Sequence, residues 1–195
     1  MKDFAWSDFY KATRDASHWS LLERAVTLSG LKGHALDLGC GAGRDTRYLL
    51  AQGWNVTAVD SDPNAMALLT ELSQDHLQII QSSFEHFVYE PETYDLISAQ
   101  FALPFNPKTS FNRVFAGIKQ AIKPGGFFAG QFFGVRDEWN TPENNMTFLT
   151  REQIDELLSD MTVIEFAEED KMGNTALGTL KRWHVFHVIA QKRSV

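Results

Sequence analysis

Cysteine is nearly absent from this chain: Cys40 stands alone among 195 residues. No intrachain disulfide can form, and no cysteine cluster can hold a metal, which suits a reducing cytoplasm. Long apolar runs are missing too, so no membrane span is expected. The opening MKDFAWSDFYKATRD interleaves charges with aromatics and has no apolar core segment, so no secretory signal is expected. Positive charge is the scarcer sign, 18 Lys and Arg against 25 Asp and Glu, for a net charge of −7. That balance disfavours a nucleic-acid partner, which needs a broad phosphate-binding face. Repeats and low-complexity linkers are also lacking. What remains is 44% hydrophobic and 22% charged, the composition of a globular chain. Its length suits one domain over 1–195, with a helical cap at 1–30 and a core at 31–195.

Helical spacing comes first, at 3–13 and 19–29. In the second stretch Trp19, Leu22, Val26 and Ser29 share a face, and Ser20 with Glu23 reads as a capping box. The pattern then changes to short apolar runs separated by helical stretches. Strands are expected at 34–39, 54–60, 77–81, 94–100 and 126–134, with helices near 44–52, after Pro63, and over 108–122. Pro124-Gly125-Gly126 is expected to stop the last of these. Thr150 and Gln153 form a second capping-box signature, ahead of Ile154, Leu157 and Leu158. Two final strands, 161–167 and 183–191, have only a loop between them, at 168–182. Alternation of strand and helix predicts right-handed crossovers and a parallel sheet, while the last pair should run antiparallel. The expected fold is α/β: a Rossmann-like, doubly wound, seven-stranded sheet ending in an antiparallel hairpin. Ligands in such sheets bind beyond the carboxyl ends of the strands.

ALDLGCGAGR places Gly39, Gly41 and Gly43 between a strand and a helix. Glycines there allow a tight turn and bare amides, and the helix N-terminus favours a negative group. A glycine-rich turn can also lack a ligand, and a dinucleotide site is the rival reading. Arg44 sits where the dinucleotide fingerprint needs a third small residue. Asp37 would repel a pyrophosphate, but would suit a ligand that brings an ammonium group. An amino-acid moiety carries both signs, so Asp37 and the helix start together favour S-adenosyl-L-methionine. Asp60 ends the second strand, where a carboxylate can accept from both ribose hydroxyls. Helix capping ahead of Pro63 is the plainer use of Asp60, although Ser61 and Asp62 can also cap.

DLGCGAGR, VTAVDSDP, YDLISAQFALPF and IKPGGFF, in that order, resemble the class I S-adenosylmethionine-dependent methyltransferases over residues 34–133. The resemblance implies that Gly39 and Gly41 line the methionine portion; in the same loop Cys40 reads as a small loop residue beside the cofactor, and Arg44 either orients a carboxylate or sits at the helix surface. The resemblance also implies that Asp60 and Ser61 hold the ribose, that Ser83 and Phe84 flank the adenine, and that Gln100 lies near the methionine. Ser83 departs from the family's usual acidic residue. Tyr10-Lys11-Ala12-Thr13-Arg14 and the glycine loop are further similar to tellurite-resistance methyltransferases, which act on small thiol-like or chalcogen substrates. The segment 168–184 departs from that subgroup. An Asn-Pro-Pro-aromatic motif is missing after the fourth strand, where Phe101-Ala102-Leu103-Pro104-Phe105 stands instead. Amide or adenine nitrogens are therefore poor candidates for the acceptor.

Methyl transfer from a sulfonium mainly needs alignment and exclusion of water, and a base only for a protonated acceptor. Catalytic residues are accordingly few in the sequence. Tyr10 and Arg14 are candidates to close over the cofactor, with ordinary helix surface as the alternative. His184 and His187 lie three apart on a strand and face opposite sides, so they cannot chelate together, and no metal site is expected. Segments 1–19, 101–107, 135–149 and 168–183 are expected to shape a small-molecule acceptor pocket, with Trp139 and Trp183 on its rim. The expectation is methyl transfer to a small molecule, leaving S-adenosyl-L-homocysteine. A non-catalytic S-adenosylmethionine-binding regulator and an NAD-dependent oxidoreductase are the alternatives.

Overall fold

The computed structural model describes residues 6–30, 32–72 and 75–194. Two helices, α1 (Trp6–Thr13) and α2 (Ser20–Ser29), precede a sheet whose strands run in the order β3-β2-β1-β4-β5-β8-β7. The parallel part comprises β1 (His34–Leu38), β2 (Asn55–Asp60), β3 (Leu77–Gln81), β4 (Tyr94–Ala99) and β5 (Ile122–Gly134). Helices α3 (Arg44–Ala51), α4 (Pro63–Leu69) and α5 (Lys108–Ala121) form its crossovers. A two-residue β6 (Phe148–Leu149) pairs parallel to the end of β5, and α6 (Arg151–Leu157) follows. Finally β8 (Leu180–Lys192) pairs antiparallel with both β5 and β7 (Met161–Asn174). The order reverses at β1, which lies between β2 and β4, and ligands of such sheets bind above that reversal.

Alternation along each strand sorts the core into two layers. Leu36, Leu38, Ile97, Phe128 and Phe132 face α5 and α6, meeting Phe111, Phe115, Ile118 and Ile154. Ala35, Val56, Ala58, Leu96 and Ala129 face the other way, toward Leu22 and Ala25 of α2 and Leu49 of α3. The small residues Ala35, Ala58 and Ala129 let those helices sit close to the sheet. Burying one leucine such as Leu22 contributes on the order of 1.5–3 kcal/mol.

Several boundaries differ from expectation, each for a local reason. Residues 3–5 of the first helix lie outside the described residues. The Ser20–Glu23 capping box does not form, because Trp19 is the N-cap: its carbonyl accepts from Leu22 N and Glu23 N, and its own N–H donates to Asp45 Oδ1 at 3.0 Å. The Glu23 carboxylate instead meets His18. The Thr150–Gln153 box does form, in both directions. Helix α5 stops at Ala121, ahead of Pro124, because the residue before a proline resists helical geometry and Ile122 is already extended. The Pro-Gly-Gly stretch bulges instead within β5, where the pairing with β4 shifts register. The hairpin is the largest departure: 168–182 is not a loop but the distal arms of β7 and β8, paired from Glu168–Phe186 out to Asn174–Leu180. Glu168 and Asp170 of the β7 arm bind Arg136 at 2.6 and 2.7 Å on the surface of the sheet. The sheet therefore has eight strands, with β6 the unforeseen one.

Candidate functional site

The loop after β1 turns back on β2: Gly39 N and Cys40 N both donate to Val59 O, at 2.8 and 3.1 Å. Gly39, Gly41 and Gly43 all have positive φ, 78°, 50° and 77°. That geometry costs any other residue roughly 1–2 kcal/mol. At Gly39 a side chain would also overlap Ala102, and at Gly43 it would overlap Leu69. Gly41 N donates to Asp60 Oδ2 at 2.9 Å, and Asp62 N donates to Asp60 Oδ1 at 3.0 Å. Capping of α4 falls to Asp62, which accepts from Asn64 N, so Asp60 is left to brace the loop. Each of its oxygens keeps a further lone pair for another donor. Burial raises the Asp60 pKa, and the amides around it pull the other way.

Asp37 points toward α3 and is buried, with Oδ2 accepting from Thr46 Oγ1 at 2.6 Å. Burial, then the neighbouring charge of Asp45, pushes its carboxyl well above the usual carboxylate range. Burial likewise raises Asp45. Arg44 lies over the Trp19 ring, 4.3 Å from its centroid, and its buried Nε has no hydrogen-bond partner. Burial, then the charges of Asp37 and Asp60, raise the Cys40 pKa and keep its thiol protonated.

A cavity of about 880 Å³ opens over this loop. Gly39, Cys40, Gly41, Arg44, Asp60 and Ser61 line it on the β1–β2 side. Ser83, Phe84 and Gln100 line it from β3 and β4, and Tyr10 of α1 closes over Gly41. Two sequence candidates lie elsewhere. Asp37 is beneath the lining, not in it, because the alternation of β1 turns it toward Thr46. Arg14, one residue past the end of α1, is paired with Glu71 Oε2 at 2.5 Å and is not in the cavity lining. Asp45, Asp62 and Glu85 also line the cavity and were not singled out from sequence. Glu85, two residues past Ser83, is the carboxylate available where the family pattern has one; the DP step after Asp60 was the available cue for Asp62.

Gln100 serves the backbone. Its Nε2 donates to Ser98 Oγ and Ala129 O, both at 3.1 Å, and its Oε1 accepts from Gln131 Nε2 at 2.9 Å. Gln131 Oε1 in turn accepts from Phe101 N at 2.8 Å. This relay holds Phe101 at φ 52°, a left-handed conformation costing about 1–3 kcal/mol for a bulky residue. The strained turn aims the ring at the cavity, against Trp19 at 4.5 Å between centroids.

The far half of the cavity is aromatic. Phe133, Trp139 and Trp183 meet there, with Trp139 and Trp183 5.4 Å apart at 61°. Lys181 Nζ sits over both indoles, 3.9 and 3.7 Å from the ring centroids, and is bound to Asp137 Oδ1 at 2.5 Å. Both charges are fully buried, outside the cavity lining. Asp137 Oδ2 also accepts from His184 N, tying loop 135–147 to β8. The two histidines do face opposite ways: His184 toward Glu168 and Arg136, His187 toward Phe101. The hairpin tip, Gly173–Leu177, completes this wall. Among the described residues, no three His, Cys, Asp or Glu side chains converge to hold a metal, and no helix is long and apolar enough to cross a membrane.

Residues 35–126 match the family described as a methyltransferase domain. The glycine loop, Asp60 and the sheet edge all lie inside that match. Over these residues the chain resembles the class I, S-adenosylmethionine-dependent methyltransferases. It is 29% identical over 128 residues to a probable S-adenosyl-L-methionine-dependent methyltransferase TehB of Haemophilus influenzae, covering 65% of this chain and 43% of that protein. An uncharacterised methyltransferase of Synechocystis is 29% identical over 112 residues, covering 57% of this chain and 51% of that protein. The chain thus spans about half or less of these curated relatives. Among solved structures, TehB of Haemophilus influenzae superposes with a TM-score of 0.77 at 21% identity, over 92% of this chain and 63% of that one. The 1,6-didemethyltoxoflavin-N1-methyltransferase of Burkholderia thailandensis, with its substrate and S-adenosylhomocysteine bound, gives 0.72 at 21%, over 97% and 87%. Both share the fold.

Proposed function

We propose that residues 1–195 act as one catalytic domain that moves a methyl group from S-adenosyl-L-methionine to a small-molecule acceptor in the cytoplasm, leaving S-adenosyl-L-homocysteine. The observation that carries the reading is one cavity with a glycine loop and a braced Asp60 at one end and an apolar wall at the other. The residues fit that cofactor. Asp60 has lone pairs free for two ribose hydroxyls, and Ser61 lies beside it. Ser83, Phe84 and Glu85 offer an edge and a face to adenine. Gly39 and Gly41 present backbone without side chains to the cavity, and the Arg44 Nε, without a hydrogen-bond partner among the described residues, suits a carboxylate. The buried acids Asp37 and Asp45 favour an ammonium nearby, Asp37 from beneath the lining through Thr46 or water.

The cofactor supplies a methyl group already activated by a sulfonium. The chain's own part is to hold acceptor and methyl about 3–3.5 Å apart and to keep water out. Tyr10 and α1 cover the glycine loop. The Gln100–Gln131 relay fixes Phe101 where the two halves meet. The net charge and the apolar wall support a small molecule over a nucleic acid. Stabilisation tests the reading against its rivals: a ligand at 100 times its dissociation constant adds about 2.7 kcal/mol. S-adenosylhomocysteine should raise the melting temperature and NAD should not. Label from methyl-labelled S-adenosylmethionine should then appear on an acceptor; cofactor binding without turnover on any acceptor would favour a regulator.

A further inference from the structure

Resting on the methyltransferase reading above, we infer that the acceptor is a planar aromatic molecule that stacks against Trp139 and Trp183, and not an inorganic oxyanion. The two indoles meet at 61°, and Phe133 joins them at 53° and 77° to form an angled corner. Such a corner offers a flat ring one face for offset stacking and one edge contact together. The corner is rigid. Lys181 fills the space behind both indoles and is fixed by Asp137, whose other oxygen is bound by His184 N. An ammonium against the ring faces also draws on their π electrons, so the rings suit an electron-rich partner.

An oxyanion finds little there. The Lys171 ammonium at this end is bound to Glu169 at 2.8 Å. Lys181 is spent on Asp137. Arg44 lies beside Asp45 at the cofactor end, stacked on Trp19. Glu85 and Glu169 add negative charge to the lining. Stripping water from a compact, strongly hydrated oxyanion against such a wall is costly without a free partner, more so than from a large aryl sulfur nucleophile.

No histidine lines the cavity, and the Tyr10 hydroxyl, held high by burial and by Asp60 and Asp62, belongs to the cofactor end. Of the lining carboxylates, Glu169 is paired with Lys171 and Glu85 accepts from Ser110 Oγ, so the acceptor best suited is one that ionises without strong help from a base. An aryl thiol is the simplest case, since even an alkyl thiol ionises near pH 8.5. Its proton goes to water. The thiolate sulfur then forms the new S–CH3 bond while the methyl–sulfonium bond breaks, and that electron pair stays on the departing thioether.

The test compares 2-naphthalenethiol, 2-mercaptoethanol and tellurite as acceptors of labelled methyl in the full chain. Calorimetry of S-adenosylhomocysteine and quenching of tryptophan fluorescence by 2-naphthalenethiol are measured in parallel. The naphthyl thiol should show a KM about tenfold below that of mercaptoethanol, and tellurite should take no label. Trp139→Ala and Trp183→Ala should each weaken naphthyl thiol binding about tenfold and leave the S-adenosylhomocysteine Kd unchanged, while Trp183→Phe retains most of the affinity. If S-adenosylhomocysteine binds but tellurite or mercaptoethanol is methylated with equal or better kcat/KM, the inference is overturned. It is equally overturned if both alanine variants bind S-adenosylhomocysteine and keep naphthyl thiol affinity. Should an alanine variant unfold, the acceptor comparison on the unaltered chain decides alone. Failure of the unaltered chain to bind S-adenosylhomocysteine would sink the methyltransferase reading itself.

Discussion

The two ends of the cavity are built on opposite principles. At the glycine loop the working groups are backbone amides and short acids, set by φ angles that only glycine adopts easily and braced by Asp60. At the far end they are large rings from β5, loop 135–147 and β8, set by a buried ion pair. One end is specified by local geometry, the other by packing between distant segments. The contrast teaches that cofactor and acceptor recognition can fail separately, and mutations should show it.

The largest effect is expected at the ion pair. Asp137→Ala leaves Lys181 buried and unpaired, and should destabilise the fold by about 3–5 kcal/mol in denaturant melts. The double variant Asp137→Asn with Lys181→Met, which keeps an acceptor for His184 N, should recover most of that loss. A full single-variant penalty in the double would mean that the charges themselves, not the packing, hold the wall. Gly39→Ala comes next. The left-handed φ and the overlap with Ala102 together should cost about 2–4 kcal/mol of stability and abolish S-adenosylhomocysteine binding. A variant that bound normally would show that the loop does not approach the ligand closely.

Asp60→Ala should weaken S-adenosylhomocysteine binding roughly tenfold to a hundredfold by calorimetry, the loss of charge-assisted hydrogen bonds, without unfolding the chain. Unchanged affinity would displace the ribose from Asp60. The smallest effect concerns pH. The pKa values of Asp37, Asp45 and Asp60 are raised by burial, so their contribution to stability is present below the ordinary Asp range and is lost as the pH climbs toward their raised values. The ligand-free chain should thus lose stability from mildly acidic to mildly alkaline pH. Asp37→Asn should flatten that slope by keeping the Thr46 contact without the charge. An unaltered slope in that variant would assign the effect to Asp45 and Asp60.

This same contrast decides what could be read from sequence. The strands from β1 to β5 and the loop between β1 and α3 announce themselves locally, through apolar runs and glycines with positive φ. The Thr150–Gln153 box was legible for the same reason, since both partners lie within one turn. Ser20–Glu23 has the same spelling, but Asp45, far along the chain, anchors Trp19 and takes over that helix start. Lys181 lies in a charged stretch that looks solvated, and only tertiary pairing with Asp137 shows it to be buried. The length of β7 was hidden likewise, because its distal arm, 168–174, is mostly polar and carries no buried face to mark it. Asp37 reads as an acid of the site, but the alternation of β1 turns it beneath the lining, toward Thr46.

Calorimetric titration of S-adenosylhomocysteine into the unaltered chain, Asp60→Ala and Trp139→Ala tests the separation of the two ends most directly. One site per chain is expected, with affinity cut at least about tenfold by Asp60→Ala and untouched by Trp139→Ala. No binding to the unaltered chain, or equal losses in both variants, would contradict it.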